Sequence, residues 1–375
     1  MAQTALQHYG NMQVHNGDPD TGLGLHTNFI NVAPLDFSTG LVGFYGDGPL
    51  QVDGSDAPNF WDIELETSSE VFLNIPMSVK NNVFFFNGDI NSQVNDQSFH
   101  INVLDTGIFT GDSDISKVTG FAAATNRGVF TFPVGDQHQL RPLTMESESL
   151  SPLAYCAYFF EAPSFPSSIT EAFDTDIRVR TIGAVSEREF WIFQSAVPTR
   201  VNLPWNSRSA LGEIPNATTE SIIVVGWSKA NNRWVALGNT AYGGDLDNGF
   251  VTSDVFVPND YAAITFGTVP LPTDTFAVNN PTLGNYFVSP NGDGINDFLV
   301  IDNLEESPNN LVLIYNRLGQ KVFEQRNYTN EFRGMSNTGK LYISQDIGLP
   351  EGIYYYLAYL YDLGLEYTGF MFLDR

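Results

Sequence analysis

Apolar segments in this chain are short and repeatedly interrupted. "LQVDG", "SEVFLNIPMSV", "NVFFFNGDINS" and "SFHINVLDTG" alternate or run apolar over a few residues, rich in Val, Ile and Phe, and stop at Asn-Gly, Asp-Gly or Gly-Asp. Such dipeptides set tight turns, and a turn every few residues leaves no room for a sustained helical period. The pattern predicts an all-β, multi-domain protein built of β-sandwich domains.

Three regions and a linker can be separated. Residues 1–150 are Gly- and Asn-rich and end in "RGVFTFPVGDQHQLRPLTM", where Gly135-Asp136 sits between two apolar runs as a hairpin connection. Residues 151–268 hold longer strands, and Ala230-Asn231-Asn232 separates Ile222–Val225 from Trp234–Leu237 as a hairpin loop would. These two regions read as passenger domains, the second a β-sandwich. Residues 269–283, "VPLPTDTFAVNNPTL", are Pro-rich without a sustained period and read as a linker.

Residues 284–375 run strand after strand. Leu311–Tyr315 and Lys321–Glu324 flank Asn316–Gln320, a five-residue loop with Gly fourth, as a bulged hairpin requires. "GIYYYLAYLYDLGLEYTGFMFL" repeats the plan, with Asp362-Leu363-Gly364 at the turn. About seven short strands over this length predict an immunoglobulin-like sandwich.

Charge narrows the partners. Seventeen Lys and Arg against 43 Asp and Glu give a formal net charge of -26, which repels phosphate backbones, so no nucleic-acid partner is expected. Cys156 is the single cysteine, set in strand-like sequence with nothing near it to lower a thiol pKa, so a buried structural thiol is expected. No run reaches the roughly 20 apolar residues of a membrane helix, and the chain is expected to be soluble. "MAQTALQHYG" has neither a basic nor an apolar leader region, so if the protein is exported its signal peptide is expected to be absent from this sequence.

Candidate chemistry is thin. No nucleophile elbow, P-loop, dinucleotide fingerprint or His-Glu-x-x-His occurs, and His8, His15, His26, His100 and His138 show no zinc spacing. An enzyme is therefore not expected, although a carboxylate-pair hydrolase leaves no short motif. Trp61, Trp191, Trp205, Trp227 and Trp234 fill a β core by default, with sugar stacking as the alternative.

"SPNGDGINDFLVIDNL", residues 289–304, carries the densest polar signal. In a calcium-loop alignment Ser289 is first, Asn291 third, Asp293 fifth and Gly294 sixth, with Asp297 beyond. Calcium takes about six to eight oxygens, and two carboxylates without a bidentate Glu make a weak site on Asn291, Asp293 and Asp297. Turn chemistry alone accounts for both glycines, with Asx side chains capping local backbone. No cofactor is expected, with calcium as the alternative. The acidic stretches at 15–22, 111–116 and 243–249 likewise read as surface turns.

In order and spacing, "SPNGDGINDFLVIDNL", "LVLIYNRLGQKVFE", "LPEGIYYYLAYL" and "YTGFMFL" resemble the type B C-terminal sorting domain of type IX secretion cargo, also called the gliding motility-associated C-terminal domain of Bacteroidetes. The resemblance covers the last quarter of the chain. It departs in one place, where Phe332-Arg333-Gly334 stands for a Trp before the Gly. It implies export through an outer-membrane translocon, transfer by a shuttle barrel, and retention at the cell surface by a porin-like barrel, in some cases with an adhesin partner. It also implies that Asn291, Gly292, Asp293, Gly294, Asn296 and Asp297 shape a sorting loop and that Arg317, Leu318 and Gly319 form the second motif. "HTNFINVAPLDFSTGLVGFYGDGPLQVDGS" and "FPVGD…RPLTM" resemble a β-rich region of exported proteins of that phylum.

Overall fold

The computed structural model describes residues 5–15, 22–36, 38–215, 217–270, 285–301, 304, 307–338, 348–362 and 365–374. Contacts divide the chain into two units, Met1–Val269 and Pro270–Arg375. Residues 271–283 of the expected linker lie outside the described residues, as do residues 16–21 of the first acidic stretch and Leu363-Gly364 of the last turn. Strands make up 53% and helix 4%, the latter among the described residues as four short 3-10 turns, so the chain is all-β.

The first half is not a sandwich. From Ala5–His8 to Val118–Phe132, strands pair in parallel with a strand one, two or three places further along the chain, as successive coils of a β-solenoid do. Side chains alternate with period two along each strand, so parallel stacking in register places like on like. Val42 lies beside Ile63, Ile63 beside Val83, and Val83 beside Phe109. Leu50, Val71, Ile90 and Val118 form a second buried ladder. Roughly 20 to 30 residues separate ladder partners, the span of a solenoid repeat. The Asp53-Gly54 turn serves as a coil corner between parallel strands. Gly54 shows why: its φ is +136°, and a Cβ there would run into the Asn31 carbonyl of the preceding coil.

At Val118–Phe132 the pairing changes hand. The segment around Gly135-Asp136 turns the chain into Leu143–Phe159, which pairs antiparallel with Val118–Phe132, as the sequence predicted for that connection. Residue 150 lies inside Leu143–Phe159, so one strand runs through it. The ladder Met77, Ile101, Ala122, Cys156, Phe193 carries the solenoid core straight into the antiparallel strands. Cys156 is fully buried, and burial pushes its thiol well above the ordinary value.

The "FPVGD…RPLTM" stretch holds this joint together. Arg141 and Glu189 form a buried ion pair at 2.7 Å, to which the Tyr158 hydroxyl donates at 2.6 Å, and Arg141 also donates to the Ser209 hydroxyl. Burial is the main cause that raises the Tyr158 phenol, with the Glu189 charge next. Asp136 accepts the Gln139 amide at 2.8 Å and pairs with Arg208, whose guanidinium covers the Phe160 ring. Beyond it, Ile222–Ser228 is buried on both faces, one in the solenoid core and the other against Phe173, Ile182 and Val185. Its hairpin with Arg233–Gly238 turns at the expected Ala230–Asn232.

The C-terminal unit is a five-stranded sheet in the order Asn285–Val288, Leu365–Leu373, Gly352–Leu360, Asn310–Asn316, Lys321–Arg326. Asn285–Val288 pairs in parallel and the others antiparallel. One face buries Val312, Ile314, Tyr354, Tyr356 and Met371. Leu299, Ile301, Tyr328, Phe332 and Leu349 cover it from irregular chain. Among the described residues that cover is not a second sheet, where an immunoglobulin-like sandwich was expected.

Candidate functional site

Residues 289–297 form a loop whose own side chains close it. Asp297 accepts the Gly292 amide on Oδ1 at 2.7 Å and the Gly294 amide on Oδ2 at 2.9 Å. Asn291 Oδ1 accepts the Asp293 amide, Asp293 Oδ1 accepts the Ile295 amide, and Asn291 Nδ2 donates to Asp293 Oδ2. These are successive Asx turns, each folding the backbone back two residues on. Gly292, Gly294 and Asn296 take φ of +82°, +85° and +56°, and Asn is the side-chain-bearing residue best suited to that region. The Ser289 amide then donates to the Asn296 carbonyl, pinning the loop base.

All six predicted loop residues are thus brought together. In this geometry the Asn291, Asp293 and Asp297 side-chain oxygens each accept an N–H from within the loop, which closes it through its own donors and acceptors. Among the described residues no three His, Cys, Asp or Glu side chains converge as a metal site.

The second motif is a turn projecting from the sheet. Asn316 Oδ1 accepts the Leu318 and Gln320 amides, both at 3.0 Å, and the Asn316 amide donates to the Gln320 carbonyl. Gly319 has φ +76°, and the register slips between Ile314 and Tyr315, which is the predicted bulge. Arg317 is exposed and Leu318 is 76% exposed, so the two side chains stand in solvent at the tip.

Sequence reading missed what holds the loop base against the sheet. Buried Asn310 accepts the Tyr328 amide at 2.8 Å and donates to the Ser307 carbonyl. The Tyr328 hydroxyl donates to the Leu299 carbonyl at 2.6 Å and accepts the Phe332 amide at 3.2 Å. Phe332, in the departing Phe-Arg-Gly stretch, is fully buried against Phe323, while Arg333 lies over the Phe298 ring at 4.3 Å. No local spacing marks these partners, because they come from separate strands and loops.

Residues 282–373 match the family of the CHU_C type IX secretion signal domain. That span takes in the loop, the hairpin and every strand of the C-terminal sheet. The match supports a type B sorting-domain protein, one exported out of the cell by type IX secretion, with that machinery as its partner in general. No curated protein and no solved structure matches the chain.

Among the described residues of 1–269 no comparable constellation is seen. Trp191, Trp205, Trp227 and Trp234 are buried, which removes them from any sugar-stacking surface, and only Trp61 is partly exposed. Among the described residues no helix is long and apolar enough to cross a membrane.

Proposed function

We propose that the chain is a non-enzymatic cell-surface protein whose residues 284–375 direct its export and then keep it at the outer membrane. In this reading the domain engages the translocon and its shuttle barrel and is finally held by a porin-like barrel. Residues 1–268 are then a rigid passenger, acting in gliding motility or adhesion in a member of the Bacteroidetes. The match over residues 282–373 carries the proposal. The self-capped loop and solvent-facing Arg317-Leu318 tip support it, because Asx side chains fix the backbone of both and the tip side chains stand in solvent.

The test is surface delivery in a bacterium with a type IX system, comparing the full chain behind a signal peptide with the same chain lacking residues 282–373. Delivery that requires both the domain and the translocon is the expected result. Equal delivery without the domain would sink the proposal.

A further inference from the structure

The C-terminal sheet is apolar on both faces, although among the described residues of this unit only one of them is covered. In Gly352–Leu360 the even-numbered residues Tyr354, Tyr356, Ala358 and Leu360 are buried, and the odd-numbered ones face outward. Directly opposite residues share a face. Ile353 pairs with Phe372, Phe372 with Phe287, Tyr355 with Phe370, and Tyr355 with Tyr315. Phe287, Ile353 and Tyr355 are 46%, 48% and 51% exposed, and Phe287 stacks on Phe372 at 6.0 Å. An apolar patch of this kind marks an interaction surface.

Charge says what covers it. Glu351 and Asp362 flank the two ends of Gly352–Leu360, Glu366 lies on the same outer face opposite Tyr359, and all three are exposed. Lys321 and Arg326 stand at the far edge, where Lys321 is already paired with Glu324. Glu351, Asp362, Glu366 and Glu324 against Lys321, Arg326 and the exposed Arg317 leave the margin net acidic, on a chain whose formal charge is -26. Anionic lipid and a second copy of this chain are both repelled, whereas a basic surface is attracted.

We propose that the outer face of the C-terminal sheet is the surface on which a protein of the export machinery docks, through an apolar patch with basic side chains at its margin. This rests on the export reading above and names its contact surface. The aromatic rings supply the buried centre of the interface, the place where binding energy concentrates. The acids at the margin supply orientation and encounter rate.

The full chain behind a signal peptide is expressed in a bacterium with a type IX system, as wild type, as Tyr355→Ser/Phe370→Ser, as Glu351→Lys/Glu366→Lys and as Lys321→Glu/Arg326→Glu. Surface delivery is expected to fall about tenfold or more with the ring pair, the size of a hot-spot loss. It is expected to fall severalfold with the acid-to-lysine pair and to hold or rise with the base-to-glutamate pair. Circular dichroism and thermal unfolding of each purified chain check folding. The charge variants touch no core residue and test the surface even if the ring pair unfolds. Normal delivery of a folded ring variant overturns the proposal, as does equal loss from both charge reversals. A wild-type dimer in sedimentation that the ring variant dissolves also overturns it, in favour of a second copy. If the chain lacking residues 282–373 is still delivered, the export reading fails; if that deletion abolishes delivery and the ring variant does not, only the docking face fails.

Discussion

Tyr328→Phe removes one oxygen atom and two hydrogen bonds. The hydroxyl donates to the Leu299 carbonyl and accepts the Phe332 amide, and the Leu299 amide donates to the Phe332 carbonyl at 3.0 Å. One buried hydroxyl therefore clamps the segment after the Asx loop to the segment that carries Phe332. The ring is kept, so the apolar packing against Phe323 is kept as well. What is lost is the partner of a carbonyl and of an amide, at about 1–3 kcal/mol for each group left buried and unmet. Relaxation shares part of that cost, and about 2–4 kcal/mol is expected for the variant. Tyr361→Phe, at an exposed ring, is the control and should stay within about 0.5 kcal/mol. The assay is urea unfolding of the full chain, read by hydrogen exchange on peptides spanning 296–301 and 328–334. Both peptides should lose protection together in Tyr328→Phe. A change below about 0.5 kcal/mol, or loss of protection in one peptide alone, would show that the hydroxyl is not the clamp.

Four further outcomes are expected. Asp297→Ala frees the Gly292 and Gly294 amides, so their exchange should speed while the sheet stays folded, and delivery should fall if the loop shape is read by the machinery. Glu189→Ala leaves Arg141 buried without its partner and should cost about 3–5 kcal/mol in denaturant unfolding, whereas removing both charges with apolar replacements should cost much less. Burial first, then the Glu64 hydrogen bond, pushes the Tyr45 phenol up to about 12. The unfolded chain ionises this phenol first, so its contribution to stability is fully present below the usual value near 10 and is lost as pH rises toward 12; Tyr45→Phe should flatten that slope in alkaline unfolding. Cys156 should resist thiol reagents in the native chain and label at the rate of unfolding, and rapid native labelling would contradict its burial.

The turn chemistry was legible because it is local. Asn316, Gly319 and the pair Gly292 and Gly294 announce positive φ and Asx capping within a few residues, and the structure places them so. The direction of pairing was not. Val42, Ile63 and Val83 sit in strands whose alternation is the same whether a neighbour runs parallel or antiparallel, and coil lengths vary enough to hide the repeat. The clamp of Asn310 and Tyr328 was invisible for a related reason: its partners meet only once the sheet is assembled. The outer aromatic face was half visible, since "GIYYYLAYL" reads as a continuous apolar run, but only the strand register shows which rings remain uncovered.

The ladder that passes from Met77 through Ala122 to Phe193 makes the first unit a one-way stack. Repeats of this kind add stability neighbour by neighbour and can grow by accepting another strand on an open rim. Here Leu143–Phe159 occupies the free rim of the last coil, and the Arg141 and Glu189 knot locks that lid in place. End-to-end polymerisation is thus blocked on that side, and loosening under load should start at Ala5–His8 and travel toward the lid, leaving the junction as the last part to give way.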